Sequence, residues 1–173
     1  MLTESSAPGK GFLADVCVAW EREADTAATL GLRVVKIRTG VALGRNGGAL
    51  AKIEPAFQSF AGGILGTGKQ WMPWIHVDDL VAMYRFAIGS NCSGALNGTA
   101  PNPVTNAKFT SELSKILHRP AFLKVPKFAL QALFGEMAEM VLAGQRAMPA
   151  VPQALGFSWK FGGLEEALHN LLD

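Results

Sequence analysis

The segment Gly63–Lys69 reads G-I-L-G-T-G-K, the G-x-x-x-x-G-K spacing of a phosphate-cradling loop. That chemistry needs a strand before the loop, a helix after it, and a Ser or Thr behind the lysine to hold magnesium. Here Gln70 follows Lys69, the preceding A-F-Q-S-F-A is helix-like, and Pro73 in W-M-P-W-I forbids a helix start of the required kind. The segment therefore reads as a Gly-rich loop that carries Gln70, Trp71 and Trp74 toward a surface or pocket. The two tryptophans, next to His76, form a candidate wall for a planar or sugar-like ligand; core anchoring is the alternative. His76 could orient a ligand or move a proton, or it could be a hydrogen-bonded structural group. Asp78 and Asp79 could work as an acid–base pair. Capping of a helix start and the helix dipole explain two carboxylates there with less effort.

A second candidate lies upstream. Arg33-Val34-Val35-Lys36-Ile37-Arg38 is a short β-branched run, and Thr39-Gly40-Val41-Ala42-Leu43-Gly44 follows it as a turn. Ligands of open α/β sheets sit beyond the carboxyl ends of strands. Thr39, Gly40, Val41 and Ala42 are thus the candidate cofactor contacts, although the glycines could serve turn geometry alone.

The elements that must position these residues follow from periodicity. Phe12, Val16 and Trp20, widened by Leu13 and Cys17, predict a helix over 12–30 that Gly31 stops. A loop at 44–48 leads into a helix over 49–61, which Pro55 should kink or divide. The stretch 64–75 is irregular, with room for short strands. A helix over 80–88 opens at Asp78-Asp79. A second strand spans 94–99, followed by an extended loop at 100–103. Asn106 should cap a helix with Phe109, Leu113, Ile116 and Leu117 on one face, stopped by His118-Arg119-Pro120. Helical material follows from Phe128 to about Ala143, and a last helix spans 164–172. The class is α/β, and it is strand-poor for 173 residues.

Composition excludes several roles. The chain is 49% hydrophobic and 17% charged, which describes a folding chain rather than a disordered one. So low a charged fraction suggests that part of the surface is meant to be covered. A net charge of +2 with scattered Lys and Arg gives no nucleic-acid stripe. Cys17 and Cys92 have no metal-like spacing, and His76, His118 and His169 lie too far apart for a local zinc motif. These features suggest a soluble chain in a reduced intracellular compartment, with no membrane span and no signal peptide.

The strings VCVAWE, RTGVALGRNGGAL, FAGGILGTGKQWMPWIHVDDLV, NGTAPNPVTN, RPAFLKVP and AGQRAMP occur in this order across nearly the whole chain. Together they resemble the C-terminal portion of the atypical, epimerase-like branch of the short-chain dehydrogenase/reductase superfamily. The resemblance implies a Rossmann-type fold that binds NADP. It divides the chain into the last part of the Rossmann-type domain (1–48), a substrate-side region with a returning strand (49–134), and a small C-terminal region of unknown function (135–173).

It also implies what these residues lack. Members of the superfamily begin with a strand and a G-x-x-G-x-x-G turn that approaches the pyrophosphate, and no such turn stands here. The strand at 34–37 would be the sixth of its sheet, with the earlier strands missing. The usual Tyr-x-x-x-Lys dyad, placed from Glu21, falls on Leu13 and Cys17, neither of which can do its work. Carried over residue by residue, Thr39, Gly40, Val41 and Ala42 match the nicotinamide-side turn. Gln70, Trp71, Trp74 and His76 match the pocket-side loop, and Asn97, Thr99, Ala100 and Pro101 match a loop at the same end of the sheet. The expectation is part of an NADP-binding oxidoreductase or nucleotide-sugar-epimerase-like protein, incomplete in cofactor binding by itself. The alternative is a non-catalytic regulatory module. An exposed sixth strand should make the lone chain associate, swap or take a partner.

Overall fold

The computed structural model describes residues 1–135 and 142–173. The chain forms α1 (Phe12–Thr29), β1 (Val35–Thr39), β2 (Val41–Gly44), α2 (Gly48–Gln58), β3 (Gly63–Leu65), β4 (Trp71–Met72), β5 (Trp74–His76), α3 (Val77–Gly89) and β6 (Gly94–Gly98). It continues with β7 (Val104–Thr105), α4 (Asn106–Ile116), β8 (Leu123–Val125), α5 (Lys127–Phe134), α6 (Ala150–Ala154) and α7 (Leu164–Leu172). The helical reading of 128–143 is met by α5 as far as Phe134; most of the remainder lies outside the described residues.

The strands pair two by two. β1–β6, β2–β5 and β3–β8 are parallel, and β4–β7 is antiparallel. β1 and β2 form one extended run that changes partners at Gly40. The Gly40 N–H donates to the Gly98 carbonyl, ending the ladder with β6, and the Val41 N–H donates to the Pro73 carbonyl, starting the ladder with β5. The expected turn at Thr39–Gly44 is therefore mostly strand. No 3.6 or 2.0 period marks a four-residue strand behind a glycine, and only long-range pairing reveals it.

The core gathers where α7 closes over β2, β5 and α4. Leu164, Ala167, Leu168 and Leu171 repeat at helical spacing on one face of α7 and are all buried, against Leu43, Leu50, Phe57, Trp74, Phe109 and Leu113. Phe109 and Leu113 are the expected inner face of α4. α2 runs unbroken through Pro55. Only one turn follows this proline, so the bond it forfeits is a late one, and Leu50 and Phe57 anchor the helix on both sides of it. A smaller cluster joins Ile75 and Met83 to Phe157 and Trp159.

Two caps differ from the sequence reading. The N-cap of α3 is His76, whose Nδ1 accepts the Asp78 N–H at 3.0 Å. The buried Asp79 instead accepts the backbone N–H groups of Lys160 (2.8 Å) and Phe161 (2.9 Å). It clips the C-terminal segment onto α3. At α4 the cap is Thr105, which accepts the Lys108 N–H, while Asn106 Oδ1 reaches across to the Leu65 N–H at 2.9 Å. In both places a local polar residue was drawn away by a backbone donor brought close by tertiary packing.

Asp79→Ala leaves two buried N–H groups without an acceptor, and each such loss costs about 1–3 kcal/mol. Urea denaturation should show Asp79→Ala destabilised by roughly 3 kcal/mol. Asp78→Ala, which faces solvent, should stay within about 0.5 kcal/mol of the parent.

Candidate functional site

The carboxyl ends of the parallel strands β1 and β6 meet at Thr39–Gly40 and Gly98–Ala100. A Cβ on Gly40 would overlap the Pro73 carbonyl oxygen and come within 3.0 Å of Thr99 Cγ2. The position therefore excludes any side chain, independently of turn geometry. Of the four candidate cofactor residues, Thr39 has an exposed side chain, Val41 packs into the main core, and Ala42 packs against Ile75 and Met83. The Gly40 and Val41 N–H groups are already used by the two ladders.

Around this strand end, polar groups are held in place. Thr99 is 1% exposed, its carbonyl accepts the Trp159 indole N–H at 3.0 Å, and its Oγ1 has no partner among the described residues. Glu4 was not singled out in the sequence, where its polar surroundings carry no signal. Its Oε1 accepts the Asn97 N–H at 2.9 Å from 93 residues away, and its Oε2 is buried without a partner among the described residues. The N-terminal segment is held there by Leu2, which exchanges backbone bonds with Arg146 and Met148. Asn97 spends its side-chain amide on the Met148 carbonyl at 2.8 Å.

The other candidate residues separate. Trp74 is fully buried and its indole N–H donates to the Asn102 carbonyl at 3.1 Å. Gln70 donates to the Leu65 carbonyl at 2.9 Å. Trp71 is half-buried, with the Arg146 guanidinium 4.4 Å from its ring centroid. Lys69 lies on an exposed turn closed by the Gly68 N–H on the Leu65 carbonyl, and a short strand follows it rather than a helix. That is no setting for a phosphate loop.

His76 lines a cleft of about 500 Å³, with Ala42, Arg45, Gly47, Gly48, Asp78 and Asn170. Its ring stacks on Phe161 with centroids 4.0 Å apart. Since Nδ1 accepts from Asp78, Nε2 carries the proton and donates to Asn170 Oδ1 at 3.2 Å. Burial pushes the His76 pKa below its usual 6.5, against the opposing pull of Asp78. The ring is thus a neutral framework group.

Leu13 and Cys17, where the acid–base dyad was sought, are both exposed and one helical turn apart on α1. Glu21, from which they were placed, holds Arg38 through two bonds of 2.6 and 2.8 Å. The Arg38 hydrogen bonds hold its carboxyl below the usual carboxylate range. The chain's single tyrosine, Tyr84, is followed by Ile88 at the lysine position, so no Tyr-x-x-x-Lys exists anywhere in the 173 residues.

Two tests follow from this geometry. Gly40→Ala should lower stability by about 1–3 kcal/mol through overpacking between Pro73 and Thr99, read by thermal melting. For His76, the folded pKa lies below the unfolded one. The unfolded chain then binds the extra proton first, and stability is complete above about pH 6.5 and falls as pH drops below it. The melting temperature of the parent should decline over that window, and His76→Gln should flatten the decline.

A model for a domain of unknown function matches residues 125–171. The chain is 48% identical over 170 residues to the chloroplastic epimerase family protein SDR39U1 homolog of Arabidopsis thaliana, covering 98% of this chain and 49% of that one. It superposes on the crystal structure of human epimerase family protein SDR39U1 with NADPH at a TM-score of 0.91 and 36% identity, covering 98% of this chain and 58% of the other. A nucleoside-diphosphate sugar epimerase from Corynebacterium glutamicum gives a TM-score of 0.77 at 39% identity, covering 98% of this chain and 33% of that one. The chain spans about half the length of the curated relatives it matches. Its fold is the C-terminal portion of a Rossmann-type α/β structure, and over nearly its whole length the chain is similar to the epimerase-like branch of the short-chain dehydrogenase/reductase superfamily.

Proposed function

We propose that these residues form the substrate-side portion of an NADP-binding, epimerase-like oxidoreductase, and that by themselves they do not hold the cofactor's phosphates. The observation that carries the reading is the strand end at Thr39–Gly40. There, two parallel strands finish side by side at a glycine with no room for a side chain. Strand ends of this kind receive ligands in open α/β sheets. The likeness to the human relative solved with NADPH supports the choice of cofactor.

The residues present fit one end of such a cofactor and not the other. Thr39 is exposed beside the Gly40 close approach, with Glu4 Oε2 and Thr99 Oγ1 unpartnered at the neighbouring strand. That set of polar atoms suits the nicotinamide side. No G-x-x-G-x-x-G turn is available for the pyrophosphate. When bound, the cofactor supplies or accepts a hydride. In this reading Thr39 to Ala42 shape the floor beneath its nicotinamide end. Gln70 and Trp71 border the substrate side, while Trp74, His76 and Asn97 hold that border in place from the core. Isothermal titration of the 173-residue chain with NADPH should give a Kd weaker than about 1 mM. A micromolar Kd for the chain alone would overturn the claim that the phosphates are held elsewhere.

A second reading, a non-catalytic NADP-binding module, is favoured by the dyad positions. Leu13 cannot give a proton, Cys17 is no constant cation, and both nitrogens of His76 are engaged. Hydride transfer by a full-length relative to any carbonyl or sugar-nucleotide substrate would set this reading aside.

A further inference from the structure

The segment 142–148 runs as a strap from the loop of Gln70 and Trp71 to the carboxyl end of β6. At its first end, the Leu142 side chain meets Gly66. Gly144 sits so close to the Trp71 backbone and the Gln70 Cβ that a side chain on it would overlap both. Further along, the Leu2 N–H donates to the Arg146 carbonyl and the Met148 N–H donates to the Leu2 carbonyl, both at 2.8 Å. The Met148 carbonyl then accepts the Asn97 side-chain amide at 2.8 Å. Arg146 therefore stands between the end of β6 and the pocket-side loop.

These contacts fix the strap through its backbone and its small residue, without the Arg146 side chain. That side chain is exposed, and its guanidinium lies over the Trp71 ring, 4.4 Å from the centroid. The ring is its partner among the described residues, where it makes no hydrogen bond or ion pair. Arg33 and Arg38 differ: the first donates to three helix-end carbonyls and the second to Glu21. A cation held over an indole face by its charge spends none of its N–H donors on the contact. The plane of the guanidinium is held while its donating edge stays available. A planar fork held in this way matches two oxygens of one oxyanion.

The contact also gives the pocket border a charge. The Trp71 ring face under Arg146 is occupied, and what the border presents there is a guanidinium. A phosphate carries more charge and more acceptor oxygens than a carboxylate, and gains more from a single solvent-facing arginine.

We propose that Arg146, held on Trp71, is a specificity-determining residue that grips a phosphate group of the substrate through paired N–H···O bonds. This rests on the reading of the β1 and β6 ends as the cofactor and substrate site. The rival is an arginine that only fastens the strap.

The test is tryptophan fluorescence of the 173-residue chain at fixed ionic strength, titrated with inorganic phosphate, glucose 1-phosphate and glucose. Both phosphates should change the emission saturably, and Trp71→Phe should remove the change; glucose should have no effect. Arg146→Gln should weaken glucose 1-phosphate binding by about tenfold, and Arg146→Lys, which keeps the charge but not the planar fork, by about threefold or more. Arg22→Gln, which removes the same charge from exposed α1, should change nothing. The absence of a saturable response overturns the proposal. So does an Arg146→Gln or Arg146→Lys variant that binds like the parent. A lower melting temperature with unchanged affinity assigns Arg146 to the strap alone. A loss confined to NADPH assigns the phosphate to the cofactor and overturns the substrate assignment. Phosphate binding that holds while a full-length relative transfers no hydride upholds the subsite and counts against the reaction. Failure of phosphate binding counts against the subsite alone.

Discussion

The structure depends on the change of partners along Val35–Gly44. One extended run satisfies its backbone first against β6 and then against β5, and the exchange happens between two consecutive N–H groups, those of Gly40 and Val41. At that point three backbone segments and Thr99 converge, leaving no volume for a side chain. A buried backbone donor without an acceptor is costly, so the two ladders must finish and begin within one residue of each other. This constraint ties the pair β1–β6 to the pair β2–β5. It also sets the strand end where a ligand of this fold class would lie.

The same economy of buried polar groups explains why the candidate polar residues are mostly occupied. Asp79 holds the C-terminal segment through two backbone donors, and Trp159 adds a bond to the Thr99 carbonyl. Phe161, fixed by Asp79, stacks on His76, whose two nitrogens are spent on Asp78 and Asn170. α7 and the preceding 157–161 segment therefore brace the floor of the cleft from behind. Polar residues with such long-range partners set the relative placement of elements. At the β1 and β6 ends, Glu4 Oε2 and Thr99 Oγ1 have no partner among the described residues.

The uneven distribution of burial carries the functional consequence. The core between β2, β5, α4 and α7 closes fully, from Trp74 through Leu168. The side of α1 and β1 does not: α1 contributes no buried residue, and among the described residues no strand pairs with the outer edge of β1. A chain that is 49% hydrophobic thus spends its apolar surface unequally. Part of the unspent surface lies on α1, with Phe12 and Trp20, and on α3, with Val81 and Ile88.

The sequence by itself determined the elements with local periodicity. α1 and α7, the strands around Ile37 and Leu96, and the inner face of α4 follow from spacing, because the 3.6 and 2.0 periods are properties of a segment alone. Residue order also carried the family resemblance. Tertiary structure alone decided β2, the caps at His76 and Thr105, the diversion of Asp79 and Asn106, and the arrival of Glu4 at Asn97. β2 is too short to have a period, and Asp79, Asn106 and Glu4 take partners far along the chain; the caps at His76 and Thr105 are local bonds. A polar side chain goes to whichever donor or acceptor packing leaves unsatisfied, and only the assembled fold fixes which one that is.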